Sequence, residues 1–242
     1  MRFASQKQNI VDTGMALLAS GDFEGAAARF RKVLAQMPDD HDAIYGMACV
    51  ARAEGRPDRA IALIGRVLKE DLTDDKRALY HITLGHALYE AGHLEPVRAA
   101  FSVATLLTPQ DFRAHAGLGG VLIQQSRFEE GAESWKRVAD LAAEPIPIWQ
   151  EYAERLMSLR QFEAAAAPFR MIAEALSENG FAWANLGAAL FEAGKMEAAL
   201  NKAVALGGDS AYTRVNRALT ALALGHFDAA EADMARARSG AG

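Results

Sequence analysis

SGDFEGA, residues Ser20–Ala26, decides how this chain folds, because altered copies of it follow at regular intervals. EGRPDRA (Glu54–Ala60), AGHLEPV (Ala91–Val97), QSRFEEG (Gln125–Gly131), LRQFEAA (Leu159–Ala165), AGKMEAA (Ala193–Ala199) and LGHFDAA (Leu224–Ala230) share its pattern. Each centres on one turn residue: Gly21, Gly55, Gly92, Ser126, Arg160, Gly194 and Gly225, at successive spacings of 34, 37, 34, 34, 34 and 31. A near-constant period of this length marks stacked supersecondary units, each too small to bury its own apolar face.

Two ladders of small residues run in step with the turns. Gly14, Ala48, Gly85, Gly119, Ala153, Gly187 and Ala218 precede them; Ala26, Ala60, Val97, Gly131, Ala165, Ala199 and Ala230 follow. Small side chains let two helices of a hairpin approach closely, so the ladders predict the contact line between a first helix (A) and a second helix (B). Large apolar residues lie a helical step away: Leu17, Leu88, Leu122, Leu156 and Leu190 on A, and Phe30, Ile64, Phe101, Trp135 and Phe169 on B. Residues three and four apart share a helix face, so each helix turns one stripe to its partner and another to the next hairpin. The composition agrees, with 51% hydrophobic but only 8% aromatic residues. Alanine favours helices and disfavours strands.

The pattern resembles the tetratricopeptide repeat. WANLGAAL (Trp183–Leu190) and ITLGHAL (Ile82–Leu88) carry its first half, and FEGAAARFRKVLAQMP (Phe23–Pro38) its second. The likeness covers about residues 7–238. It implies an all-α, right-handed α-solenoid of seven antiparallel helix hairpins. The repeats fall at about 7–40, 41–77, 78–111, 112–145, 146–179, 180–210 and 211–238, after an N-terminal extension (1–6) and before a tail (239–242).

Departures from the period carry their own expectations. Three extra residues near Asp74–Arg77 predict an added turn at the start of the third A helix, capped by Thr73 or Asp74. The shortened sixth repeat places its deletion between Ala198 and Ala205, with Gly207–Gly208 as the helix stop. Pro57 and Pro96 sit in first turns, where a missing N–H is harmless, whereas Pro168 falls mid-helix and predicts a kink. Arg214 and Arg217 take bulky apolar positions, to be paired with Asp209 or Asp233 or to snorkel at the end of the stack. Phe227, Ala230, Met234 and Ala237 are expected to be exposed on the last helix, making self-association through the C-terminal repeat an expectation.

The resemblance further implies a concave groove lined by A helices that takes an extended peptide or a partner helix. Carried over position by position, its residues include Asp12, Met15, Tyr45, Cys49, Arg52, Ile82, His86, Tyr89, Ile123, Glu151, Asn185, Phe191 and Asn216. The first half is apolar with small floor residues (Gly46, Gly117, Gly120); the second is polar, with Glu151 and Glu154. Asn185 and Asn216 share one repeat position, either as an asparagine ladder gripping a peptide backbone or as two solvated amides. The basic clamp that some relatives use for a C-terminal carboxylate is missing, since Val11, Met15, Gly46, Leu79 and Thr83 hold its positions.

The function that follows is a protein–protein interaction scaffold with a protein or peptide partner. The alternative is the substrate-recruiting arm of a larger or associated enzyme such as a glycosyltransferase. A net charge of −5 without a basic stripe argues against nucleic acid. No apolar run approaches the length of a membrane span, Met1–Gln8 lacks the apolar core of a signal peptide, and the one cysteine, Cys49, fits a reducing, cytoplasmic setting. The histidines show no metal-ligand spacing, and His81 and His115 share a usually bulky repeat position suited to packing. GLGG (Gly117–Gly120) lies inside an A helix with no strand before it, so close packing outweighs a phosphate loop. No base is placed beside Cys49, so no enzyme activity and no cofactor or metal are expected.

Overall fold

The computed structural model describes residues 2–176, 179–192, 214, 215, 217, 218, 221 and 226–239, with only the backbone described at 2–5, 180, 181, 184, 191 and 192. Its helices are α1 (Arg2–Ala19), α2 (Phe23–Leu34), α3 (His41–Ala53), α4 (Pro57–Val67), α5 (Asp74–Glu90), α6 (Leu94–Leu107), α7 (Phe112–Gln124), α8 (Phe128–Leu141), α9 (Pro145–Ser158), α10 (Phe162–Ala175), α11 (Gly180–Glu192) and a C-terminal helix, Phe227–Ser239. No strand occurs among the described residues. The chain forms two compact units, residues 1–134 and 135–242, with the boundary inside α8.

In the N-terminal unit each helix packs on its successor: α1 on α2, α2 on α3, and so on to α6 on α7. The odd-numbered helices also touch one another, α1 on α3, α3 on α5 and α5 on α7, which builds a layer of A helices beside a layer of B helices. In the C-terminal unit α9 packs on α10 and α10 on α11. This is the all-α stack of helix hairpins that the period implies.

The repeated phrase folds as one repeated turn. Gly21 (φ 84°), Gly55 (70°), Gly92 (81°), Ser126 (59°) and Arg160 (56°) all lie in the left-handed region. At each, the turn residue's N–H reaches back three residues and the next N–H reaches back five, as in Gly21 N to Leu18 O (3.1 Å) and Asp22 N to Leu17 O (2.9 Å). These paired bonds satisfy carbonyls that the helix end would otherwise orphan. His226 N bonds Ala221 O in the same way at 2.7 Å; Gly194 and Gly225 lie outside the described residues. Ser126 and Arg160 hold a conformation that costs an L-residue with a Cβ about 1–2 kcal/mol and costs glycine none. Ser126→Gly and Arg160→Gly are therefore expected to stabilise the protein by about 1 kcal/mol each. Unchanged urea midpoints would show that the strain is relieved elsewhere.

The two ladders form the hairpin seams: Gly14, Ala48, Gly85, Gly119, Ala153, Gly187 and Ala218 are buried, as are Ala26, Ala60, Val97, Gly131, Ala165 and Ala230. The B-helix residues Phe30, Ile64, Phe101, Trp135 and Phe169 are buried too. Phe30 and Phe101 show why so many A-helix residues are glycine. A Cβ added at Gly14 or Gly46 would stand 2.7 or 2.4 Å from the Phe30 ring, and one at Gly85 or Gly117 would stand 2.7 or 2.2 Å from Phe101. Each ring is thus wedged between a glycine of its own hairpin and a glycine of the next. Gly46 and Gly117, expected as groove floor for a partner's side chains, are filled by the chain's own phenylalanines.

α5 has 17 residues against 13 in α3 and α7, so the three extra residues do lengthen a helix. Its N-cap is Thr73, whose side chain accepts from Lys76 N. Pro57 and Pro96 lie in the first turns of α4 and α6, as expected. α10 runs unbroken through the buried Pro168, which has no N–H to offer the carbonyl four residues back. The shortening expected between Ala198 and Ala205 lies outside the described residues.

The arginines at apolar positions are resolved by pairing. Arg217 donates through Nε and Nη2 to the two carboxylate oxygens of the buried Asp233, and Arg214 Nη1 donates to Arg236 O at 2.7 Å. The expected exposure of the last helix is corrected at two positions. Ala230 and Ala237 are buried, Ala230 packing with Ala218 and Ala221, while Phe227 is 68% exposed. Ala230 sits on the small-residue seam, whose register the last hairpin keeps.

Candidate partner-binding face

α1, α3, α5 and α7 present their residues at repeat-related positions, and a line of polar bonds crosses from one to the next. Lys7 of α1 reaches Asp40 (2.9 Å) and Asp42 (3.1 Å), and Asp42 also takes Lys76 of α5 (2.6 Å). Tyr45 of α3 meets Thr83 of α5 at 3.2 Å; because the Thr83 hydroxyl proton goes to Leu79 O (3.1 Å), Tyr45 is the donor. Arg52 of α3 pairs with Glu90 of α5 (3.2 Å), and Gln124 of α7 donates to the Tyr89 hydroxyl. The partners are separated by 33 to 38 residues, about one repeat, so the stacking that buries the core also sets these bonds.

The residues expected to line the groove divide by depth. Tyr89 is exposed, Asp12 is exposed, and Met15, Tyr45, Arg52 and His86 are half-buried. Tyr45 stacks on Tyr80 with ring centroids 4.8 Å apart, and His86 meets Phe101 edge-on at 5.2 Å. Cys49, Ile82 and Ile123 are buried in the helix packing instead, because their direction along the A helix turns them into the stack. In the C-terminal unit Glu151 is exposed and paired with Arg155 (2.7 Å), and Asn185 is exposed. The side chain of Phe191 and all of Asn216 lie outside the described residues, so the asparagine pair finds no test here. Sequence reasoning missed Glu90, Gln124 and Lys7. A search for complementary polar residues one repeat apart would have found them.

Two titratable groups in and beneath this face are shifted by their surroundings. Burial pushes the Cys49 thiol up, outweighing the opposing influence of Tyr45 and Arg52, so it is a protonated, poorly nucleophilic thiol at neutral pH. Burial also works to raise the Asp42 carboxyl, but hydrogen bonds from Lys76 and Lys7 outweigh it and hold Asp42 below its ordinary value. Among the described residues no group of three His, Cys, Asp or Glu side chains is placed to hold a metal ion. No described helix is long and apolar enough to cross a membrane.

Two histidines make stability sensitive to pH. Burial first, then Arg52 beside His86 and Arg77 beside His81, lower both imidazoles below 6.5. Through that window the unfolded chain binds more protons than the folded one, so stability is complete above 6.5 and falls as pH drops towards the folded values. The urea midpoint is expected to decline between about pH 7 and pH 5, and to decline less in His81→Gln/His86→Gln. Parallel profiles would assign the decline to other groups.

Comparison with known proteins accords with this architecture. A family model described as Tetratricopeptide repeat matches residues 17–80, which span two of the A–B turns described above. The chain carries the tetratricopeptide repeat over these residues. This repeat protein is 31% identical to Protein CTR9 homolog of Arabidopsis thaliana over 109 residues, 45% of its own length but 10% of that protein. Among solved structures, PilF of Pseudomonas aeruginosa matches with a TM-score of 0.61 at 22% identity, over 86% of this chain and 91% of that one. A tetratricopeptide repeat protein of Parabacteroides merdae matches at 0.56 and 13% identity, over 97% and 93%. A thermophilic repeat protein of Thermus thermophilus matches at 0.54 and 20% identity, over 76% and 99%. At these identities the likeness is one of fold.

Proposed function

We propose that this repeat protein is an interaction scaffold whose A-helix face in the N-terminal unit holds a peptide or a helix of a partner protein. The observation that carries this reading is the strip formed by Met15, Tyr45, His86 and Tyr89, partly exposed and fixed in place before any partner arrives. Tyr45 and Tyr89 are each held by a hydrogen bond to the next A helix, so little side-chain entropy is lost on binding. On α7, Gly120 has no atom within 4 Å of a Cβ added there, which leaves room for a close-approaching backbone. Aromatic anchors of this kind carry most of the energy of protein interfaces. The acidic balance of the chain favours a polypeptide over nucleic acid as the occupant.

The test is affinity for a polypeptide ligand selected by the intact protein from a displayed peptide library. Tyr45→Ala/Tyr89→Ala is expected to weaken it by at least about tenfold. Leu106→Ala, altering an exposed leucine on the B helix α6, is expected to leave it unchanged. Equal affinity of the tyrosine variant and the parent would reject this face as the site.

A further inference from the structure

A small cavity of about 70 Å³ lies between α2, α3 and α4, backed by Ala27, Met47, Val50 and Ala51 and rimmed by Arg31, Arg56, Arg59 and Glu54. None of the residues of the partner-binding face lines it. Three guanidiniums therefore surround one carboxylate. Glu54 is taken by Arg56, while Arg31 and Arg59 have no carboxylate partner among the described residues. Asp58, the nearest other acidic residue on α4, does not line the cavity. The N-terminus of α4 meets the same cavity, and its N-cap residue, Arg56, offers no side-chain acceptor to the free N–H groups. Like charges crowded on an apolar wall repel, and a protein with acidic residues to spare gains nothing by leaving them unpaired.

We propose that this cavity binds a phosphate monoester, carried either by a small molecule or by a phosphorylated side chain of a partner. The rim carries two more positive than negative charges, matching a group that is close to dianionic at neutral pH. Guanidinium forks pair with phosphate oxygens bidentately, and a helix N-terminus adds its N–H groups and dipole. The apolar back wall lowers the local dielectric and strengthens each of these contacts. The volume equals about two water molecules, room for a tetrahedral oxyanion head but not for the group that carries it. The ester substituent is therefore left at the mouth.

Titration of the full chain with inorganic phosphate, followed by calorimetry and amide chemical shifts at constant ionic strength, is expected to saturate at one site with shifts confined to α2, α3 and α4. Arg31→Ala and Arg59→Ala are expected to weaken it by about tenfold each. Arg29→Ala, on the same α2 helix but outside the rim, leaves it unchanged. Circular dichroism confirms that these surface variants are folded. A glycine-flanked phosphoserine peptide that binds more tightly than inorganic phosphate identifies a phosphorylated partner as the source; equal affinity identifies a small phosphate compound. Non-saturating shifts, or undiminished binding in Arg31→Ala/Arg59→Ala, overturn the proposal.

Discussion

Phe101→Ala lowers the unfolding free energy of the N-terminal unit by about 3–5 kcal/mol, among the largest losses expected from a single truncation in that unit. The ring is 2% exposed and lies against Gly85 and Gly117, with His86 meeting it edge-on. Two of its walls are glycine backbone, which has no side chain to swing into a void, so the cavity left by truncation stays open. The ring also joins one hairpin to the next, because Gly85 is on α5 and Gly117 on α7. Its loss should therefore uncouple the α5–α6 and α6–α7 interfaces together. Urea unfolding followed by circular dichroism measures the effect. A cost below about 1 kcal/mol would mean that the neighbouring helices collapse onto the gap.

Gly117→Ala destabilises by about 1–3 kcal/mol, although alanine is the better helix former. The added Cβ would stand 2.2 Å from the Phe101 ring, closer than any real contact, so the ring or the helix must shift. Three residues later in the same helix the sign reverses. No atom lies within 4 Å of a Cβ at Gly120, and Gly120→Ala is expected to add up to about 1 kcal/mol by propensity alone. A double-mutant cycle isolates the cause: in a Phe101→Ala background the penalty of Gly117→Ala should vanish or reverse. A penalty that persists without the ring would place the strain in the backbone.

Much of this could be read from residues in order. The turn positions were legible because a helix end that leaves in the left-handed conformation favours glycine, and Gly21, Gly55 and Gly92 keep that preference in register. Once the period was set by glycines, Ser126 and Arg160 could be placed at the same turn without carrying the usual residue. The seam of small residues was equally legible, because close helix packing restricts side-chain volume locally. The extra residues before α5 announced a longer helix, since Thr73 supplies an N-cap where the added turn begins.

The candidate site was less legible. Repeat position tells which helix face a residue occupies, but depth within that face depends on what the neighbouring hairpin inserts. Gly46, Gly117 and Gly120 look alike in sequence as small residues on A helices. The stacking gives the first two to Phe30 and Phe101 and leaves the third open. Cys49, Ile82 and Ile123 share the groove register with Tyr45 and Tyr89 yet are buried, because a helix turns each residue 100° from the last and only a narrow stripe stays clear of the adjacent helices.

The chain by itself therefore determined the period, the turn, the helix pairing and the class of core, since each rests on local geometry repeated about every 34 residues. Only tertiary structure decided which polar residues meet across one repeat. Tyr45 with Thr83, Arg52 with Glu90 and Gln124 with Tyr89 join helices whose distance is set by every side chain packed between them. The same holds for the arginine-rimmed cavity: Arg31, Arg56 and Arg59 belong to two B-helix segments, and they surround a common space only because α2, α3 and α4 close around the apolar wall between them.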